Sequence, residues 1–243
     1  MTKSEGRGVL ITGASRGLGA ALAEELARRG EKVVLVARGE AELSAVAARI
    51  TARGGVAHAL AFDVGDKDAI YPLAGAAAAL VGPIDILVHA ASTLGPTPLP
   101  LLLDTQCEDL ERVLAVNVVG PFRLTKAIAG SMALRGSGTI VHVSSDAGVD
   151  AYPRWGAYGL SKAALDHQSR TWATELDGTG VRVFAVDPGE MDTAMHAAAI
   201  PDADRSTLAR PADVARRIAA MIAAGDRVKS GARLIAASWE EGT

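Results

Sequence analysis

Tyr158 and Lys162 stand four residues apart in an alanine-rich run, and Ser145 precedes the tyrosine by thirteen. On a helix four residues is just over one turn, so phenol and ammonium project from one face. A free tyrosine has a pKa of about 10 and is a poor acid or base at neutral pH. A fixed cation beside it favours the phenolate. A drop of about three units corresponds to about 4 kcal/mol, within reach of an ammonium in a partly dehydrated site. The pair therefore suggests a tuned proton donor, although Tyr-x-x-x-Lys is also common on solvated helices. What positions it decides its meaning.

Near the N-terminus the apolar run Gly8-Val9-Leu10-Ile11 leads into Thr12-Gly13-Ala14-Ser15-Arg16-Gly17-Leu18-Gly19. A helical stripe of Leu18, Leu22 and Leu26 follows, then a second strand, Lys32–Val36. Strand, glycine turn, helix and strand make a βαβ unit. Glycines let the backbone turn sharply and approach a pyrophosphate, whose charge is favoured at a helix N-terminus. The spacing is Gly-x-x-x-Gly-x-Gly, which differs from the Gly-x-Gly-x-x-Gly fingerprint.

Taken together, Thr12-Gly13-x-x-x-Gly17-x-Gly19, Asp63-Val64, Asn117, Ser145, Tyr158-x-x-x-Lys162 and Pro188-Gly189 with Thr193 resemble the compact, single-domain branch of the short-chain dehydrogenase/reductase family. The resemblance runs over nearly the whole chain. It implies catalytic roles for Asn117, Ser145, Tyr158 and Lys162, with Asn117 interrupting its helix and holding a water linked to Lys162. It implies dinucleotide contacts at Gly13, Ser15, Arg16, Gly17, Leu18, Gly19, Arg38, Asp63, Val64, Ala90, Pro188, Gly189, Met191 and Thr193, with Tyr158 and Lys162 shared. One segment departs from the family. Where Asn-Asn-Ala-Gly is usual, this chain has His89-Ala90-Ala91-Ser92.

The second strand ends Val36-Ala37-Arg38, where family members using NAD carry an acidic residue for the ribose. A small residue followed by arginine suits a 2′-phosphate, and Arg16 is within reach of the same group. NADP(H) is therefore the expected cofactor, ahead of NAD(H). Asp63 is read as meeting the adenine edge, with a helix cap before Asp66 as the rival reading.

The chain has 243 residues, 49% of them hydrophobic, with a formal charge of −3 and one cysteine, Cys107. That is enough for one large α/β core and too mild a charge to suggest nucleic acid. No apolar run is judged long enough for a membrane span, and Met1–Glu5 is hydrophilic, so a cytoplasmic location is expected. Cys107 is read as a packing residue, compatible with a reducing compartment. No His, Asp and Glu spacing resembles a metal site.

Strand and helix signals alternate to the end. Helices are expected over 41–53, 66–80, 106–132, 155–176 and 212–223, with further strands over 57–62, 84–88, 139–143, 181–186 and 233–237. Residues 93–100 read as an irregular insertion, and 190–209 shows no clear period and is expected to close over substrate. The fold class is α/β, a doubly wound parallel sheet of Rossmann type with helices on both faces, as one domain over 1–243. Ligands then sit at the carboxyl ends of the strands.

The resulting expectation is a carbonyl reductase or alcohol dehydrogenase, working towards reduction because NADPH pools are kept reduced. Substrate walls are expected from Leu94, Tyr152, Trp155, Met191, Met195 and Ile200, with Arg154, Glu190 and His196 as polar contacts. His89 and His142 read as packed core residues. The Thr93-Leu94-Gly95 and Lys229-Ser230-Gly231-Ala232 stretches resemble the family's sepiapterin reductases, which reduce pterin side-chain carbonyls. Relatives dimerise or tetramerise through helices corresponding to 106–132 and 155–176, so a homo-oligomer is expected. An NAD-dependent alcohol dehydrogenase, a nucleotide-sensing regulator and a sugar-nucleotide epimerase remain as other readings.

Overall fold

In a computed structural model of the protein, which describes residues 6–239, seven parallel strands form one sheet in the order β3-β2-β1-β4-β5-β6-β7. The strands are β1 (Gly8–Thr12), β2 (Lys32–Ala37), β3 (Val56–Ala61), β4 (Ile84–His89), β5 (Gly138–Val143), β6 (Val181–Asp187) and β7 (Arg233–Ile235). Their central members are nearly unbroken runs of Val, Ile and Leu, as a sheet covered on both faces requires. Alternate residues divide between two cores. Val9, Ile11, Val33 and Leu35 pack against α1 (Gly17–Arg28), α2 (Glu40–Ala52) and α8 (Pro211–Ala223). Leu10, Val34, Val36 and Leu87 pack against α3 (Ile70–Val81), α5 (Gly120–Arg135) and α6 (Gly156–Glu175). Strand order reverses between β1 and β4, which opens a crevice at their carboxyl ends.

Local chemistry moved several expected boundaries. α3 begins at Ile70, four residues later than expected from 66. Asp63 accepts the Gly65 N–H and Asp66 accepts the Asp68 N–H, so side-chain turns take the donors that a helical turn would need. The expected helix over 106–132 is instead α4 (Cys107–Leu114), a π turn (Ala115–Val119) and α5. Residues 190–209 are not without regular structure. They contain α7 (Ala194–Ala199), a helix too short to show a period, capped by Thr193 Oγ1 accepting the His196 N–H. A bridge between Met191 and Ala209 ties the ends of this segment together.

Two expectations from composition are corrected. The composite helix Cys107–Arg135 does have the length and mean hydropathy, 1.2, of a membrane span. Half of its apolar window is buried within the fold, where Leu124, Ile128 and Met132 form part of the core. Cys107 opens α4 as an exposed residue, because only one side of that first turn faces the protein. The expectation for Met1–Glu5 falls outside the described residues.

Candidate active site

Close backbone approach builds the site. Gly13 has φ 71°, and a Cβ there would lie 2.6 Å from the Ala91 nitrogen. A Cβ on Gly19 would lie 2.3 Å from the Gly13 carbonyl oxygen, so the turn folds onto the first residues of α1. α1 starts at Gly17 with no side-chain cap and no acidic residue in its first turn, which leaves its N–H groups and positive end open. Thr12 Oγ1 accepts the Ala91 N–H at 3.2 Å and fixes the β4 end against the turn.

From this turn a cleft of about 1570 Å³ runs across the β1–β4 crevice. Of the expected dinucleotide contacts, Gly13, Ser15, Arg16, Gly17, Leu18, Gly19, Arg38, Asp63, Val64 and Ala90 line it at one end. Tyr158, Lys162, Pro188, Met191 and Thr193 line it at the other. Gly189 does not; its N–H is held by Asp187 Oδ1 at 2.9 Å. Arg16 and Arg38 are exposed, and among the described residues neither pairs with a carboxylate. Asp63 is not a cap of α3. Burial works to raise its carboxyl pKa, but the Gly65 N–H and the Arg112 guanidinium, 2.6 Å away, outweigh it and hold the value low. A dinucleotide fits this surface: glycines where its phosphates need room, an open helix end, and two unpaired cations beside β2.

At the inner end, α6 buries one face carrying Tyr158, Lys162 and Asp166. Small residues press the β5 turn onto that face. A Cβ on Gly148 would meet the Lys162 carbonyl carbon at 3.0 Å, and one on Gly159 the Ala147 carbonyl oxygen at 2.7 Å. Ser145 is thereby brought to Tyr158. Its hydroxyl donates to Asp146 Oδ1 at 2.8 Å and accepts the Ala147 N–H at 3.2 Å. Ser144 is buried, with its hydroxyl unpartnered.

The electrostatics correct one sequence argument. The net shift of the tyrosine pKa is upward, opposite to the expected lowering. Burial pushes the phenol up to about 12, with Asp146 and Asp187 adding to it, while the Ser145 and Ser92 hydroxyls oppose. The ammonium sits 5.3 Å from the ring centroid and donates to the Val143 carbonyl at 2.8 Å, so its charge is partly committed elsewhere. Burial lowers Lys162 to about 8, against the raising influence of Asp166 and Asp187. Spacing gives direction along a helix; it says nothing of desolvation.

Asn117 sits inside the π turn, 1% exposed. Its Oδ1 accepts the Thr93 N–H at 2.8 Å, and its Nδ2 donates to the Thr93 carbonyl and Ser161 Oγ, each at 2.9 Å. The side chain thus clips the loop after β4 to α6. In the departing segment, His89 stacks on His142 with centroids 4.9 Å apart, both buried as expected. Leu94, Leu99, Ala147 and Tyr158 form an apolar patch with Trp155 and Ala199, so the expected wall residues Leu94 and Trp155 contribute. Met195 and Met191 line the cleft, whereas Arg154 donates to the Leu99 carbonyl and Tyr152 to Asp146. His196 faces Glu190 at 3.6 Å. Sequence reasoning missed Ser92, Asp166, Asp187 and Arg233; only Asp166, one turn beyond Lys162, left a spacing signal.

Comparison with known proteins agrees with the fold. The pattern described as short chain dehydrogenase matches residues 7–204, and the chain belongs to the short-chain dehydrogenase/reductase family of oxidoreductases. It is 38% identical over 198 residues to a short chain dehydrogenase of Pseudocercospora fijiensis, covering 79% of this chain but only 62% of that protein. It is 38% identical over 196 residues to a 3-oxoacyl-(acyl-carrier-protein) reductase of Synechocystis, covering 80% of this chain and 78% of that one. Among solved structures, a Shigella flexneri short chain dehydrogenase complexed with NADP superposes with TM-score 0.85 at 29% identity, over 95% of this chain and 97% of that one. An NAD+-bound xylitol dehydrogenase superposes with TM-score 0.82 at 27% identity, over 96% and 98%.

Proposed function

We propose that this chain is an NADP(H)-dependent carbonyl reductase in which Tyr158 is the proton donor. One observation carries the reading. A phenol that stays protonated across the neutral range and the Lys162 ammonium line the cleft that begins at the glycine turn, and the Ser145 hydroxyl lies against the phenol. A reduced nicotinamide dinucleotide, when bound, supplies hydride to the carbonyl carbon. Ser145 exchanges Asp146 for the carbonyl oxygen and orients it. Tyr158 gives that oxygen its proton as negative charge builds, and Lys162 stabilises the phenolate left behind. Asn117 holds the β4 loop and, through the π turn, keeps space for a water that returns the proton towards Lys162.

Arg38 and Arg16 support the choice of NADP(H), since both are free to meet a 2′-phosphate. The apolar patch around Leu94, Leu99 and Trp155 suits a substrate with a hydrophobic body, in keeping with the 3-oxoacyl reductase relative. Residues 190–209 cover the substrate side. The test is turnover of a panel of ketones, diketones, pterins and acyl-thioesters with NADPH and with NADH. NADPH-dependent loss of a carbonyl is the expected result. Turnover with NADH alone would overturn the cofactor choice, and none with either would overturn the activity.

A further inference from the structure

Three segments of the candidate site meet at one guanidinium. Arg233, on β7, donates from Nε to Asp166 Oδ2 at 2.9 Å, and from Nη2 to Asp187 Oδ2 at 3.1 Å and to the Ser145 carbonyl at 2.9 Å. Asp166 lies one turn beyond Lys162 on α6, and Asp187 ends β6 while its other oxygen holds the Gly189 N–H. The two carboxylate side chains are 5% and 8% exposed, and that of Arg233 is 21%. We propose that Arg233 is a positioning residue for the Ser145–Tyr158–Lys162 centre, tying the ends of β5 and β6 to α6 and balancing the negative field of Asp166 and Asp187.

The geometry needs a fork. Three acceptors on three elements lie around one planar group, an arrangement that a single ammonium cannot reproduce. The charge matters as much as the shape. Asp166 and Asp187 both act on Lys162, and Asp187 acts with Asp146 on Tyr158. The other groups facing the centre are His142 and Ser144 from β5 and its end, Ser145 and Asp146 from the turn, and Ser92 from the β4 loop. Of these only Asp146 carries a further carboxylate, so Lys162 and Arg233 supply the positive charge. Without Arg233, negative charge is in excess, and phenol and ammonium both bind their protons more tightly. The inference rests on the proposed function for its catalytic consequence, but not for its electrostatic one.

The experiment compares wild type, Arg233→Gln and Arg233→Lys as full-length protein, with carbon-13 NMR of labelled lysine following Lys162 Cε through pH, assigned by its loss in Lys162→Met. The wild-type midpoint is expected near 8. Arg233→Gln should raise it by about one unit and lower kcat about tenfold or more, with a smaller change in KM for NADPH. Arg233→Lys should restore the midpoint and recover kcat only in part, because the charge returns without the fork. An Arg233→Gln protein that melts near wild type with an unmoved midpoint and kcat within about twofold overturns the proposal. Should Arg233→Gln not fold, Asp166→Asn takes its place and must lower the Lys162 midpoint; no change there overturns the electrostatic half. A wild type inactive with every carbonyl defeats the proposed function and leaves the lysine titration to judge the network alone.

Discussion

In the proposed function cofactor choice turns on Arg38, which stands exposed at the end of β2 with no carboxylate partner among the described residues. Arg38→Asp replaces attraction for a 2′-phosphate with repulsion and offers an acceptor to a free ribose hydroxyl. NADPH affinity should fall tenfold to a hundredfold, about 1.5–3 kcal/mol, while use of NADH holds or improves. Arg16→Ala should move the ratio the same way but less, and added salt should weaken part of the Arg38 effect. The check is kcat/KM for both dinucleotides at two salt concentrations; an equal loss for both would remove Arg38 from specificity. Residues of this kind were legible in the sequence because a strand end and a glycine turn fix where they lie. Ser92, Asp187 and Arg233 were not legible. They are ordinary polar residues until the fold brings β4, β6 and β7 together. The direction of the phenol pKa shift was not legible for a related reason: burial, the largest influence on it, is a property of the packed site.

At the scale of elements, the junction of the π turn with α5 couples the loop after β3 to the catalytic helix. A Cβ on Gly120 would lie 2.5 Å from the Val64 carbonyl oxygen, a backbone contact that no side-chain rotation can relieve. Gly120→Ala should therefore displace Asp63–Val64, lower the melting temperature and weaken dinucleotide binding, measured by thermal unfolding and by fluorescence titration with NADPH. Unchanged binding would show that the loop yields without cost. Asn117→Ala removes three hydrogen bonds and leaves the Thr93 amide unpaired, at a cost of about 1–3 kcal/mol for each buried group left without a partner. The central strands and the helical character of 106–132 could be read from periodicity, but the π turn that divides that stretch into α4 and α5 could not. The delayed start of α3 could not, because Asp63 and Asp66 each offered a turn that periodicity alone does not weigh against a helix.

For the whole molecule, stability should depend on acid through the buried His89–His142 stack. Burial holds His142 at about 3, with the Lys162 charge adding to it, and holds His89 well below its ordinary value. The unfolded chain takes up protons at these sites below about pH 6.5 and the fold refuses them. Stability is thus present above about 6.5 and is lost as pH falls, at about 1.4 kcal/mol per pH unit for each imidazole. His142→Leu should reduce that slope, read from urea midpoints between pH 8 and 5; an unaltered slope would place the acid sensitivity elsewhere. α5 and α6 leave Phe122, Leu134 and Leu160 exposed, which supports the proposal of a homo-oligomer, to be checked by light scattering. The central claim is that Tyr158 donates the proton in NADPH-dependent carbonyl reduction, and Tyr158→Phe tests it most directly, with kcat and the NADPH Kd measured on one preparation. Turnover should fall 10²-fold to 10⁴-fold with Kd nearly unchanged, because a proton is removed and the cofactor's anchors remain. A variant retaining more than about a tenth of wild-type kcat would contradict the account.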